Sequence, residues 1–260
     1  KTGGGTATAE LRFTSPTSVP ISLAADNSGT MTIFMNGNYS GTVTGTGTLK
    51  MISNGRLFAG TADHVGSLVL ENVVATTATV SGTVGSNVTN VIFFNPDTID
   101  RGAITVSGLM ANTGTISFTG KGSHTVSGPI TGASGIVVNM DNAQGRAILS
   151  GSNTFTAPVS IQSGVLRASN AQAIGINNSV TLANTGTTAL DVSAGVNVAI
   201  GSLSGGGATG GNVSFAANSS RLTTGGDNTS TTFSGSATGA GGFTKVGTGT
   251  FTLNGTTTNT

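Results

Sequence analysis

The residues of this chain that could do chemistry are nine carboxylates, two histidines and many serines. Asp97, Asp100 and Arg101 form the one local cluster of charge. Two carboxylates beside a basic residue could hold a calcium ion or act as an acid/base pair on a polysaccharide. The cluster begins with Asn95-Pro96, which is typical of a turn. We therefore expect a turn, with Asp97 and Asp100 as the candidate metal ligands.

A second place for acid–base chemistry is the neighbouring pair Asp63 and His64. A hydrolase would need serine, histidine and aspartate to converge in space, and the chain has no Gly-x-Ser-x-Gly elbow. We interpret Asp63 and His64 as surface turn residues and His124 as an exposed strand position. Gly205 to Gly210 fits Gly-x-Gly-x-x-Gly, but without a strong strand before it and a helix after it we expect a flexible turn and no cofactor.

The composition excludes several classes of protein. With 42 glycines, 36% hydrophobic residues and 7% charged residues, the chain is neither a charged disordered tail nor a flexible linker. Its ten lysines and arginines are dispersed, and it has one tyrosine and no tryptophan, so we expect no nucleic-acid binding. No apolar run is long enough to span a membrane, and Val91 to Phe94 is about the densest, so we expect no membrane insertion of this segment.

Charge and cysteine content bear on location and assembly. The chain has no cysteine, which excludes disulfides and thiolate metal sites and is compatible with an extracellular location. Its net charge of +1 leaves little repulsion to oppose self-association. The chain begins with Lys1 and shows no signal peptide, so we expect a processed product or a piece of a longer protein.

Most of the chain alternates apolar residues with threonine or serine. Thr30 to Phe34, Thr115 to Phe118 and Asn212 to Phe215 each do so directly after a glycine. This period of two predicts strands with one buried face, and the frequent glycines disfavour helices. Ser67 to Ser81 lacks glycine but also favours strand, and Ala168 to Ile174 could form one helical turn.

One phrase occurs three times, starting at Ser40, Ser127 and Ser234. It runs Ser-Gly, a spacer, Thr-Gly, and small residues before a large apolar one, and such recurrence predicts stacked similar units. Because only 5% of the residues are aromatic, a narrow aliphatic core is favoured, as in a β-solenoid. With ~20–25 residues per coil and ~4.8 Å between strands, the chain would form about 11 coils over ~50 Å.

Gly145 to Arg167 resembles a known family. Gly145 to Gly151, Asn153 to Thr156 and Gly164 to Leu166 are similar to the autotransporter-associated β-strand repeat of bacterial surface proteins. Pro158 stands where that repeat usually has glycine, and Thr257 to Thr260 lacks the usual Asn-Thr-aromatic. The resemblance covers residues 120–260 well and residues 1–119 loosely.

This resemblance implies a fold and a location. It implies an all-β chain, a parallel right-handed β-helix, in which residues 1–260 form a single elongated domain of a longer or polymerised assembly. It further implies export to the bacterial cell surface, and no catalytic activity, since the repeat itself carries none.

We therefore predict a non-catalytic extracellular structural protein, a subunit or segment of a surface filament formed by head-to-tail stacking. Unpaired strands at the ends of a solenoid seek partners, and a head-to-tail contact that does not close makes a fibre. The residues predicted to self-associate lie near the two ends of the chain: Lys1, Thr2, Gly249, Thr250, Phe251, Thr252, Leu253 and Thr260.

Three other functions stay open. The chain could be a monomeric passenger stalk that acts as an adhesin on surface glycans. It could be a polysaccharide-active enzyme that uses Asp97, Asp100 and Arg101. It could also be an ice-binding solenoid, because Thr44 to Thr48 and Thr250 to Thr252 present threonine at alternate positions.

Overall fold

The computed structural model describes residues 9–23, 29–96, 102–141 and 145–258. Within these ranges the chain forms 28 β-strands and no helix. The strand pairings in all four sheets are parallel, as at both ends and in the middle of the longest sheet. The predicted all-β class and the β-solenoid are therefore confirmed, and an antiparallel sandwich is excluded.

The longest sheet, here called the long sheet, has 12 strands and runs along the whole described chain. Its strands are, in spatial order, β1 (Ala9–Phe13), β3 (Thr30–Met35), β5 (Thr48–Ser53), β8 (Gly66–Asn72), β11 (Val88–Asn95), β13 (Thr115–Gly120), β15 (Gly135–Met140), β17 (Val159–Ser163), β19 (Ser179–Leu182), β22 (Ser202–Gly205), β25 (Thr231–Phe233) and β28 (Phe251–Leu253).

Two further sides complete the solenoid. The second sheet has 9 strands: β6 (Leu57–Phe58), β9 (Thr77–Val80), β12 (Ala103–Val106), β14 (Ser123–Val126), β16 (Arg146–Leu149), β18 (Val165–Ala168), β20 (Ala189–Val192), β23 (Asn212–Phe215) and β26 (Ala237–Gly239). The third side holds two short sheets: β2 (Ile21–Leu23), β4 (Thr42–Gly45), β7 (Thr61–Ala62) and β10 (Thr83–Val84), and then β21 (Asn197–Ala199), β24 (Arg221–Thr224) and β27 (Gly242–Lys245).

Each coil visits the long sheet, the second sheet and the third side in turn. β8, β9 and β10 form one such coil, and β11 then pairs with β8 in parallel. Hydrogen-bonded partners in neighbouring coils lie between 18 and 31 residues apart in the sequence. The predicted count of about 11 coils is confirmed by the 12 strands of the long sheet, which span ~50 Å at the usual strand spacing.

The core is a set of side-chain columns that run along the solenoid axis. Alternate residues of each strand point inward, and parallel register stacks them on the same position of the next coil. Phe93 stacks on Phe118 with ring centroids 4.6 Å apart. One buried column of the long sheet consists of Ile33, Met51, Leu70, Phe93, Phe118, Val138, Ile161 and Leu182.

The Ser-Gly pair that begins each copy of the repeated phrase, and that also occurs at Ser107-Gly108, marks a corner where backbones of neighbouring coils almost touch. The N–H groups of Ser107 and Gly108 both donate to the carbonyl oxygen of Val80, at 2.8 and 3.4 Å. A Cβ on Gly108 would lie 1.7 Å from the carbonyl oxygen of Gly82. The same close approach recurs in successive coils at Gly60, Gly82, Gly108, Gly128 and Gly151.

The three copies of the phrase do not all occupy this corner. Gly128 follows β14 of the second sheet, and Gly41 follows Tyr39, which bridges to Phe58 of that sheet, whereas Gly235 follows β25 and precedes the second sheet. Gly235 still packs on backbone, since a Cβ there would lie 1.9 Å from the carbonyl oxygen of Gly211. The phrase therefore signals close coil contact and not one fixed position in the coil.

The predicted exposure of the two histidines was wrong. His124 is buried between Ile104 and Ala147 of the neighbouring coils, because period-two alternation puts it on the same face as Val126. Its ring lies 5.7 Å from that of Phe93, and its Nε2 lies 3.4 Å from the Thr119 carbonyl oxygen. His64 is buried at the turn before β8, with Nε2 3.1 Å from the carbonyl oxygen of Ser67.

The segment between β18 and β19 contains a hydrogen-bonded turn in place of the possible helical turn. The Ala173 N–H donates to the carbonyl oxygen of Asn170 at 3.1 Å, and the Gly175 N–H donates to that of Gln172 at 3.0 Å. The predicted strand character of residues 67–81 is confirmed by β8 and β9.

Replacing a corner glycine tests whether close backbone contact holds the coils together. Gly108→Ala should lower the free energy of unfolding by roughly 3 kcal/mol, because its Cβ meets backbone that cannot move away alone. The matched control is Gly135→Ala, whose Cβ would meet nothing closer than 3.7 Å and should shift stability by under about 1 kcal/mol. Urea unfolding followed by circular dichroism measures the stability of both variants. Equal losses of stability in Gly108→Ala and Gly135→Ala would contradict the close backbone contact at the corner.

Burial of His124 predicts acid sensitivity. Burial lowers the pKa of His124 to about 4, against a smaller raising effect of its hydrogen bond to Thr119. Because the unfolded histidine titrates near pH ~6.5, stability should be full above that pH and fall by about 3 kcal/mol as the pH drops toward 4. Burial also lowers the pKa of His64, so this residue acts in the same direction.

The variant His124→Leu should remove most of this pH dependence, since leucine suits a column that already holds Ile104. The measurement is the urea midpoint of both proteins at a series of pH values between about 7 and 4. A variant that loses stability on acidification as steeply as the parent would show that His124 is not the group responsible.

Candidate functional site: a polar depression on the third side

The third side is interrupted in the middle of the solenoid. After β10 the contacts on this side are single bridges, Val84 with Met110 and Met110 with Ile130. Among the described residues, no strand lies there again until β21, and loops of residues 150–158 and 169–178 take the place of strands. The interruption leaves room for a surface depression.

We call this surface the Asp227 depression. It is an open cavity of about 420 Å³ between the two loops and a third loop, after β24. It is shallow and open to solvent over most of its surface. The lining residues are Thr156, Ala157, Pro158, Ile176, Asn177, Asn178, Ser179 and Asp227.

Asn178 holds the first two loops together. It is buried, and its Nδ2 donates to the carbonyl oxygens of Ile174 at 2.6 Å and Phe155 at 2.9 Å. These two bonds join consecutive coils and satisfy carbonyl groups that have lost strand partners. The floor of the depression is therefore fixed by a buried amide and not by a strand ladder.

Two asparagines with left-handed backbone conformation lie at the depression. Asn177 has φ 60° and Asn228 has φ 61°, and they are the non-glycine residues with positive φ in the described chain. Asparagine tolerates this region better than most residues. A Cβ on Gly226 would lie 2.4 Å from Asn177 Oδ1, so the third loop packs closely against the Asn177 side chain at this position.

Asp227 brings a negative charge to the depression. Burial raises the pKa of its carboxyl, but hydrogen bonds from the Ser202 side chain and from Thr229 outweigh this, and the net pKa is lowered. Asp227 Oδ1 accepts the Thr229 N–H at 3.0 Å and the Thr229 hydroxyl at 2.8 Å. The carboxylate is therefore ionised at neutral pH and fixed in orientation.

Several lining groups keep hydrogen-bonding capacity for a ligand. The side chains of Thr156, Asn177 and Ser179 make no hydrogen bond to any described residue. Beside them, Pro158 is exposed and Ile176 is 50% exposed. Since Asp227 is the sole carboxylate and no histidine lines the depression, the lining holds no acid/base pair and suits binding of a polar molecule.

A second charged cluster lies on the outer face of the second sheet. Asp191 Oδ2 lies 3.2 Å from Arg167 Nη2 and 3.4 Å from Arg146 Nη1, which links three consecutive strands. Arg167 and Asp191 also line a smaller depression. Because both guanidinium groups share one partly buried carboxylate, we interpret the cluster as an ion-pair network between coils, worth little at this exposure.

Of the predicted sites, Asp97, Asp100 and Arg101 lie outside the described residues, as do Lys1, Thr2 and Thr260. Within the described ranges there is no group of three or more His, Cys, Asp or Glu that could hold a metal ion. Asp63, predicted to lie in a turn, accepts hydrogen bonds from Asn87 N–H and Nδ2, both at 3.1 Å, and so joins two coils.

The predicted self-association strand lies at one edge of the long sheet. Thr250 N–H donates to Ser230 Oγ at 3.0 Å, and β28, which includes Thr252, pairs with β25 on one side only among the described residues. Phe251 packs on Phe243, with ring centroids 5.6 Å apart, whereas Leu253 is 42% exposed. A Cβ on Gly249 would lie 2.2 Å from the Thr229 carbonyl oxygen. Self-association through these residues stays a prediction.

The glycine-rich segment before β23 forms a turn, as predicted, and its flexibility stays a prediction. Gly205 and Gly206 have φ of 88° and 68°, and the Gly207 N–H donates to the Gly210 carbonyl oxygen at 2.9 Å. The described chain holds no helix long and apolar enough to cross a membrane.

Comparison with known proteins adds one relative. The chain is 34% identical over 227 residues to the "Adhesin BmaC autotransporter" of Brucella suis biovar 1 (strain 1330). The match covers 85% of this chain and 6% of the relative. The resemblance to autotransporter passenger regions is confirmed. No protein-family model matches this passenger-type solenoid, and no solved structure does either.

Sequence reasoning did not find the Asp227 depression. Its lining comes from three loops that meet only when coils stack, and Asp227 is far in sequence from Thr156 and Asn177. The available signals were indirect: Asn177-Asn178 and the Ala168 to Ile174 stretch interrupt the period-two alternation where a strand of the third side would otherwise lie.

Proposed function

We propose that the chain is a non-enzymatic, surface-exposed segment of an autotransporter passenger that contributes to adhesion. The observation that carries this proposal is the similarity of 85% of the chain to an autotransporter adhesin, together with a continuous β-solenoid. Because the chain spans 6% of that relative's length, adhesion as an activity of the whole protein is part of the proposal.

The solenoid suits a role as a spacer that displays surface. Each coil contacts its neighbours through ladder hydrogen bonds and core columns, so the coils form one extended body in which length scales with coil number. The outer face of the long sheet carries small hydroxyl side chains in its later coils, where Ser160, Thr181 and Ser204 lie in one column. Such a face can contact polar surfaces without strong charge.

The position of the histidines supports a non-enzymatic role. His64 and His124 are buried, and burial lowers the pKa of each, so neither offers an accessible acid–base group to solvent. The polysaccharide-active alternative depends on Asp97, Asp100 and Arg101 and stays a prediction.

An ice-binding surface is not supported by the register. Thr44 pairs with Ser22, Thr46 with Val65, and Thr252 with Thr232, so the threonines of the two phrases do not form one array. The outward column at the centre of the long sheet mixes residue types: Thr32, Lys50, Val69, Ile92, Ser117, Val137, Ser160, Thr181 and Ser204.

The filament is the second candidate function. The exposed edge of β28 and the net charge of +1 favour end-to-end contact. The same edge would pair equally well with a further coil of a longer passenger, and for this reason we rank the monomeric stalk above the filament. Surface glycans are the ligands that we propose for the stalk.

The test is attachment by a displayed chain. Residues 1–260, exported to the surface of a non-adherent laboratory bacterium, should raise the number of bacteria that attach to cultured epithelial cells several-fold over the empty display vector. Sedimentation velocity of the purified chain should give a monomer at concentrations up to millimolar. Unchanged attachment would contradict the adhesive role, and concentration-dependent fibres would favour the filament.

A further inference from the structure

We propose that the Asp227 depression is a binding site for an uncharged saccharide. This inference rests on the adhesive function proposed above and names a ligand class and a site for it. The site is concave, and it combines unused hydrogen-bonding groups with exposed apolar carbon.

The polar side of the argument concerns matching donors and acceptors. Sugar hydroxyls both donate and accept, so they need partners of both kinds close together. Thr156 and Ser179 supply hydroxyls of the same dual character, and the Asn177 amide supplies two donors and an acceptor. Asp227 supplies an acceptor whose charge strengthens any hydrogen bond that it receives.

The apolar side of the argument concerns the ring. A pyranose presents C–H groups on its faces, and these pack on exposed hydrocarbon. Pro158 and Ile176 lie on the rim of the depression, and a 50% exposed isoleucine gains from contact with such a face. Small-molecule sites commonly combine apolar surface with a few placed polar groups.

The charge of the site selects for uncharged sugars. Asp227 is the one charged residue in the lining, and no lysine or arginine of the described chain lines the depression with it. A uronic acid, sialic acid or sulfated sugar would bring a second negative charge to within a few ångströms of this carboxylate, which is unfavourable. A bare cation is also a poor fit, because hard cations need several oxygen ligands and the site has one carboxylate.

The site is held in place by contacts that leave the side chains of Thr156, Asn177 and Ser179 without a hydrogen bond to any described residue. Asn178 fixes the two loops through its Nδ2, and Thr229 fixes Oδ1 of Asp227, which leaves the free side chains available. Rigid placement reduces the entropy lost when a ligand binds.

The experiment uses purified residues 1–260 on an array of immobilised neutral and acidic oligosaccharides. The parent should bind neutral oligosaccharides, and Thr156→Val and Asp227→Asn should each weaken binding about tenfold or more. Thr156 is exposed and makes no hydrogen bond to a described residue, so its replacement should leave folding intact. The matched control is Glu10→Gln, at an exposed carboxylate on β1 that lies 3.5 Å from Arg12 Nη2.

Each outcome supports or overturns the site. Loss of binding in both site variants, with retention in Glu10→Gln and unchanged circular dichroism, supports the proposal. Equal binding by all variants, or a preference for acidic oligosaccharides, overturns it. Absence of binding to any oligosaccharide also overturns it, and if the displayed chain still promotes attachment to cells, the adhesive function survives with a protein ligand in its place.

Discussion

Close contact between the backbones of successive coils is the constraint on which the rest of this structure depends. Parallel strands must approach within ~4.8 Å on the long sheet, and the corners must allow the same spacing. At the Ser-Gly corner only a residue without a Cβ fits. A Cβ on Gly108, for example, would lie 1.7 Å from the carbonyl oxygen of Gly82. Coil stacking thus accounts for the high glycine content at the corners. The strands between the corners consist mainly of threonine, serine and aliphatic residues.

The same stacking determines where surface features can arise. A coil with a strand on each of the three sides has flat outer faces. A coil without the third strand must supply other hydrogen-bond partners for the backbone N–H and C=O groups on that side. Asn178 does so for the coils next to the Asp227 depression, by donating to two carbonyl groups of two loops. An interruption whose free carbonyl groups are satisfied by one buried amide thus gives a concave surface on the third side.

Much of the fold could be predicted from the sequence, because alternation and glycine spacing are local signals. Ile116 and Phe118, for example, lie on the buried face as alternation requires. The alternation also places His124 on the buried face, since Val126 two residues later is buried. The prediction of an exposed His124 was wrong because it was based on the polarity of the side chain. The depression was not predictable, because the contact of Gly226 with Asn177 exists only after the coils have stacked.

The register between coils is the central claim, and engineered disulfides test it most directly in a chain without cysteine. Thr181 and Ser204 are paired in adjacent coils with their hydroxyl oxygens 3.1 Å apart, within reach of a disulfide. Thr181→Cys/Ser204→Cys should lose its free thiols on mild oxidation, whereas Ser160→Cys/Ser204→Cys, two coils apart at ~9.6 Å, should keep them. Equal oxidation of both pairs, or oxidation of the second pair alone, would contradict the coil stacking described above.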